Sequence, residues 1–186
     1  MGRRPSIDRD QVLALAERIV AERGAAALTI EAVASAAGIS KGGVQSCFGT
    51  KEAMIGAMLD RWFQDYAEGV AAALAGRQDS PAARLGAHVA LSLDDATHES
   101  TARSAALVAA LLPRPDQLGT VRAWYAARFA GLFEGGEASR PLRLALLATE
   151  GAVLLRHLGL AALSPAEWTT LRADIASLLA ADPAAE

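Results

Sequence analysis

Apolar residues recur along this chain at steps of three and four, the period of helices with one buried face. Val12, Leu15, Ala16, Ile19 and Val20 share one face of a helix predicted over about 8–23, and Gly24 follows as its stop. Thr29 is a good N-cap for a second helix, with Ile30, Val33, Ala34 and Ala37 at i, i+3, i+4 and i+7. Gly38 permits a tight left-handed turn. Ser40 then caps a short third helix carrying Val44 and Phe48 one turn apart. Thr50 caps a long fourth helix, opened by Lys51 and Glu52, whose stripe Ile55, Met58, Leu59, Trp62, Tyr66, Val70 and Ala73 runs to about residue 74.

The segment GRQDSP at 76–81 breaks the pattern. Further helices are predicted at about 81–96, 99–111, 116–133, 141–162 and 165–181. Ser164, Pro165 and Glu167 have the spacing of a capping box with proline at the first helical position. No run alternates with period two for long. The prediction is an all-α chain of about nine helices.

Composition narrows the class. With 52% hydrophobic and 21% charged residues, the 186-residue chain reads as a soluble globular protein of one or two domains. Cys47 is its only cysteine, which suits a reducing cytoplasm. The opening MGRRPSIDRDQ lacks the apolar core of a signal peptide. The most apolar stretch, 141–163, carries Arg143, Glu150, Arg156 and His157, so a buried helix is expected there rather than a membrane span. Net charge is −3, but it is uneven: residues 1–51 hold seven basic and five acidic groups, and the remainder holds eleven basic and sixteen acidic. A basic head on an acidic body suits a small nucleic-acid-binding unit joined to a regulatory one.

Residues 29–48 hold two short helices about a glycine turn, the geometry of a helix-turn-helix. In such a unit the second helix presents short side chains to base edges in the major groove. Ile30, Val33, Ala34, Ile39, Val44 and Phe48 form the expected inward face. Ser40, Lys41, Gly42, Gly43, Gln45 and Ser46 are expected outward, with Gln45 able to make a bidentate contact to adenine. Arg3 and Arg4 precede the first helix. They read either as an arm into the adjacent minor groove or as a solvated tail.

The stretch TIEAVASAAGISKGGVQSCFGTKEAMI resembles the TetR family of transcriptional regulators in the AcrR-like form of its N-terminal domain. Thr29, Ala34, Ala37-Gly38-Ile39-Ser40, Phe48, Lys51 and Glu52 carry the likeness, and the spacing agrees over residues 9–63. The resemblance implies a three-helix DNA-binding domain at 1–52, its fourth helix continuing to about 74 as a connector, and a C-terminal ligand-binding and dimerisation domain at 53–186. It implies phosphate contacts from Thr29 and Lys51. One departure stands out: Ser46 occupies the position where the family usually has tyrosine. The implied partners are an operator in double-stranded DNA, a small-molecule effector and a second copy of the chain. No cofactor, metal or membrane is expected, and no enzyme activity.

Other constellations are weaker. No histidine is tied by spacing to Cys47, so a Cys–His nucleophile is not indicated, and no HxxH or CxxC pair suggests a metal. Most aromatics fall on two predicted helices, as Trp62, Phe63 and Tyr66 and as Trp124, Tyr125 and Phe129. Each admits ordinary core packing. In the family the fourth and seventh helices line a ligand cavity, and the resemblance makes the set, with His88 and Glu150, a candidate pocket lining. Arg143, Glu150 and His157 recur every seven residues, as a solvated edge or as a polar network.

The last two predicted helices are apolar nearly all round and joined by a short turn, so they are expected to form an antiparallel hairpin that needs cover on two sides. Two such hairpins form a four-helix bundle, the usual dimer of the family. Leu147, Gly151, Leu155 and Leu158 on the first helix, and Trp168, Leu171, Ile175 and Leu178 on the second, are the expected interface.

Overall fold

The computed structural model describes residues 8–94, 98–113 and 115–180. Arg3 and Arg4 lie outside them. The described residues form nine α-helices: α1 Arg9–Arg23, α2 Ile30–Ala37, α3 Lys41–Phe48, α4 Lys51–Leu74, α5 Pro81–Leu93, α6 His98–Leu111, α7 Gly119–Phe129, α8 Arg140–His157 and α9 Pro165–Ala180. Short 3₁₀ turns at Ala25–Ala27 and Pro115–Leu118 complete the order. The all-α class stands.

Local chemistry sets most helix starts. The Asp8 carboxylate accepts from the amides of Asp10 and Gln11, at 2.9 and 3.2 Å. The hydroxyls of Thr29, Ser40, Thr50 and Ser80 each accept from the amide three residues on, at 3.0–3.1 Å. Each such cap is worth about 1 kcal/mol. Before α9 the box closes both ways: Glu167 Oε2 accepts from the Ser164 amide at 2.8 Å, and Ser164 Oγ accepts from the Glu167 amide at 3.3 Å. The Ser164 hydroxyl, which donates to Oε2 at 2.7 Å, and the Ser164 amide hold the exposed Glu167 carboxyl below its ordinary pKa.

Two apolar clusters divide the chain. The first joins Val12, Ala16, Val33, Val44, Ile55 and Leu59 of α1–α4, and it is completed by Leu107 and Leu111 of α6 and Val121 of α7. The second joins Leu85 and Val89 of α5, Leu142 and Leu146 of α8, and Trp168 and Ile175 of α9, with Leu132 between α7 and α8. Helices α6 and α7 therefore complete the core of the N-terminal unit.

The predicted ends need correction in the C-terminal half. The helix expected over 116–133 is α7 alone, preceded by the 3₁₀ turn, and the chain winds irregularly from Ala130 to Ser139. Two charge-assisted hydrogen bonds fix that connection, because Arg143 Nη1 donates to the carbonyls of Leu132 and Gly136 at 2.9 and 2.8 Å. The helix expected over 141–162 stops at His157, where Gly159 takes φ +66° and the amide of Leu160 returns to the Leu155 carbonyl at 2.9 Å.

Two of the interface residues expected on α9, Trp168 and Ile175, also need correction. Trp168 is 7% exposed and Ile175 1%, and both lie in the chain's own second core. Leu171 and Leu178 are half-buried against that core. The short turn before α9 folds its most apolar face back onto α5 and α8, leaving α8 with the uncovered apolar surface. Leu147, Leu155 and Leu158 are 57%, 46% and 42% exposed, and the space above Gly151 is open.

Candidate nucleic-acid interface and effector cavity

The reading unit is built from short-range signals. Gly38 takes the left-handed conformation (φ +63°, ψ 29°), and the amide of Ile39 returns to the Ala34 carbonyl at 3.1 Å, so α2 ends tightly and only three residues separate it from α3. Val33, Ala34, Val44 and Phe48 are buried below this turn, and Ile30 and Ile39 are half-buried beside them. On the outer surface Thr29, Ser40, Lys41, Gly42, Gln45 and Ser46 are exposed. Gly43 is buried instead of facing outward: at the third position of α3 it follows Val44 onto the inner face, and its amide is taken by the Ser40 cap.

Several of these groups already have partners. Thr29 and Ser40 use an oxygen lone pair as a cap and keep the hydroxyl hydrogen to donate. Lys41 pairs with Glu31 of α2 at 2.5 Å, and this holds the Glu31 carboxyl below its ordinary pKa. Lys51 Nζ donates to the Ala25 carbonyl at 3.4 Å, leaving donors over at the start of α4.

Arg9 is a positioning residue that the pattern of the chain did not single out. Its guanidinium lies 4.8 Å from the centre of the Phe48 ring, and Nε donates to the Cys47 carbonyl at 3.4 Å, at the end of α3 where a cation suits the helix dipole. A spacing of 38 residues has no sequence signal.

Behind this unit α4 runs into the C-terminal half. Arg61 binds it to α1 through Asp10 at 3.1 Å and Glu17 at 3.4 Å. The next turn of α4 opens a cavity of about 290 Å³ between the two cores. Trp62, Phe63 and Tyr66 line it from α4, Trp124 and Tyr125 from α7, and Glu150 from α8. Ser100, Thr101 and Ser104 of α6 add hydroxyls. These last were missed, although three hydroxyl residues within five positions on an alanine-rich helix were a readable signal.

The rings cluster around Trp124, whose centre is 5.5 Å from Trp62, 5.3 Å from Phe63, 5.4 Å from Tyr66 and 4.9 Å from Tyr125. Phe129 does not join them. It packs against the second core and lies 6.1 Å from Phe133, because α7 turns it one face away from the cavity.

The polar residues interlock. Tyr125 donates to Glu150 Oε2 at 2.8 Å, while His88 Nε2 stands 3.0 Å from Oε1 without forming an aligned hydrogen bond. His88 Nδ1 lies 2.5 Å from the Tyr66 hydroxyl. His88, expected among the cavity lining, does not line it; with Tyr66 it borders a second hollow of about 300 Å³, walled by Arg84 and Arg128. Arg128 lies over the rings of Trp124 and Tyr66, and Nη1 donates to the Trp124 carbonyl at 2.9 Å. Burial raises the pKa of both tyrosines, reinforced at Tyr125 by the Glu150 charge, and burial lowers that of Arg128.

Of the two residues that share the seven-residue spacing with Glu150, Arg143 is held at the Leu132 connection, and neither it nor His157 lines the cavity. Among the described residues no cluster of His, Cys, Asp and Glu could hold a metal, and no helix is long and apolar enough to cross a membrane.

Comparison with known families agrees with both halves. Residues 12–58 match the profile described as bacterial regulatory proteins, tetR family. Residues 82–180 match that of the tetracyclin repressor-like C-terminal domain. The chain belongs to the tetR family. It is therefore a DNA-binding transcriptional regulator and not an enzyme. No curated protein sequence matches it.

Solved structures share the fold over nearly the whole length. A transcriptional regulator from Rhodococcus sp. Rha1 has 25% identity and a TM-score of 0.62, covering 94% of this chain and 95% of that one. A TetR-like regulator from Rhodococcus sp. RHA1 has 19% identity and a TM-score of 0.65, covering 99% and 100%. The multidrug binding protein EbrR, complexed with imidazole, has 22% identity and a TM-score of 0.62, covering 96% and 97%.

Proposed function

We propose that this tetR-family regulator is a cytoplasmic repressor that binds a palindromic operator as a homodimer and is released by a small molecule in its C-terminal half. In this reading residues 1–52 read DNA, 53–186 bind the effector and the second copy, and α4 connects them. The observation that carries it is continuity: α4 begins with Lys51 beside the reading helix, clamps α1 through Arg61, and then lines the cavity with Trp62 and Tyr66. A ligand that favours one position of α4 must shift the placement of α1 and α3, and DNA must alter ligand affinity by the same factor.

The dimer has its own support. Leu144, Leu147, Leu154 and Leu155 of α8 and Leu158 at its C-cap are 38–57% exposed around the open Gly151. So many exposed leucines on one helix mark an interaction surface. A two-fold copy on this face sets two reading helices on one side of a duplex, separated by one or more turns.

Selection of duplex DNA from a random library, followed by binding titrations in increasing salt, tests the proposal. The expected result is a palindromic site whose log affinity falls linearly with log salt. Failure to select any duplex with salt-dependent binding would sink it.

A further inference from the structure

The cavity beneath the reading unit has a charge as well as a shape. Trp62, Tyr66, Trp124 and Tyr125 supply aromatic walls, and Asp65 and Glu150 are the two ionisable acids on its lining. No lysine, arginine or histidine is among the described residues that line it. Asp65 is the weaker of the two, being exposed and shared with a smaller hollow that Arg61 and Arg103 also border. Glu150 is the stronger. Its side chain is only 16% exposed; Tyr125 donates to Oε2 at 2.8 Å, and His88 Nε2, itself outside the cavity lining, stands 3.0 Å from Oε1. The nearby cation, Arg128, is directed onto the Trp124 and Tyr66 rings and the Trp124 carbonyl.

We infer that the effector is an organic cation, a protonated amine or quaternary ammonium on an aromatic or apolar body, with its charge beside Glu150 and its body among the rings of Trp62 and Trp124. This deepens the regulator reading above and rests on it. A buried cation is costly to desolvate unless a counter-charge and polarisable faces replace its water. This cavity provides a carboxylate and aromatic faces, each able to attract a cation within about 6 Å of a ring centre. Aromatic faces in the same cluster already hold an internal cation, since Arg128 lies over Trp124 and Tyr66. A volume of about 290 Å³ is at the small end for ligand sites, so the effector is a compact molecule. An anionic effector would meet the Glu150 carboxylate with no cation on the cavity lining to offset it.

The test uses the full-length protein without DNA and three probes: phenyltrimethylammonium, its neutral isostere tert-butylbenzene, and benzenesulfonate. Tryptophan fluorescence reports binding. The expected result is a preference for the cation over the isostere of about tenfold or more, with benzenesulfonate weakest. Glu150→Gln, which keeps an acceptor for Tyr125, is expected to bring cation and isostere within about threefold by weakening the cation. Asp65→Asn is expected to change the ratio less. Wild-type protein that binds the isostere or the sulfonate as tightly as the cation overturns the inference without any variant. A ratio unchanged in folded Glu150→Gln overturns it as well. Operator binding by the same preparation is measured separately: its loss would overturn the regulator reading, whereas a missing charge preference overturns only the class of ligand.

Discussion

The hydroxyl of Tyr125 donates to Oε2 of Glu150 across 2.8 Å, joining α7 to α8 at the wall of the cavity. The geometry requires the phenol to stay protonated, and burial together with the carboxylate charge pushes its pKa well above the ordinary value of 10.0.

That shift has a measurable sign. Below pH 10 both folded and unfolded chains keep the Tyr125 proton, so its contribution to stability is fully present. As pH rises beyond 10 the unfolded chain releases the proton while the folded one retains it, and stability falls. Tyr66, the only other tyrosine, is shifted the same way by burial. Absorbance at 295 nm is expected to show no tyrosinate step near pH 10 in the folded protein, and to rise together with loss of helical circular dichroism. A reversible step near pH 10 with the helices intact would contradict the assignment.

On the DNA side, three residues have separable expectations. Lys51→Ala is expected to weaken binding to every duplex alike and to lower the salt slope by about one unit, the signature of one lost phosphate contact. Gln45→Ala is expected to change the selected sequence, at about 1–3 kcal/mol for a bidentate base contact. Ser46→Tyr, restoring the family's usual residue, is expected to tighten operator binding by about 1 kcal/mol through one added phosphate hydrogen bond. Titrations at several salt concentrations and repeated site selection read all three.

Exposed and buried aliphatic positions separate assembly from folding. Leu147→Glu with Leu155→Glu changes side chains 57% and 46% exposed on α8, and is expected to yield folded monomers that no longer bind a palindrome tightly. Ile175→Ala lies in the second core at 1% exposure and is expected to cost about 2–5 kcal/mol of stability by cavity formation. Light scattering after size exclusion and chemical denaturation distinguish the two. Monomeric wild-type protein at micromolar concentration would remove the paired-reader mechanism.

Gly38 isolates a backbone effect. A methyl group there would meet nothing within 4 Å, so Gly38→Ala costs only the left-handed conformation itself, about 1–2 kcal/mol. A shift in the denaturation midpoint with unchanged slope checks it. An unchanged midpoint would mean that the turn relaxes to another conformation.

The sequence by itself determined most helix starts and the reading unit, because those depend on neighbours. A hydroxyl three residues before an amide, a glycine where the chain must turn left, and Val33 and Val44 on either side of that turn act within 29–48 whatever the rest does. Tertiary structure decided what depends on how each helix is rotated against its neighbours. A helix apolar nearly all round has no preferred inward face in its sequence, so periodicity could not tell that Trp168 and Ile175 would close the chain's own core while Leu147 and Leu155 stayed outside. The same holds for the cavity. Its contacts join α4, α5, α7 and α8, bringing Tyr66 to His88 and Tyr125 to Glu150 and turning Phe129 away. Only the packed arrangement brings residues 22 and 25 positions apart within a hydrogen bond of each other.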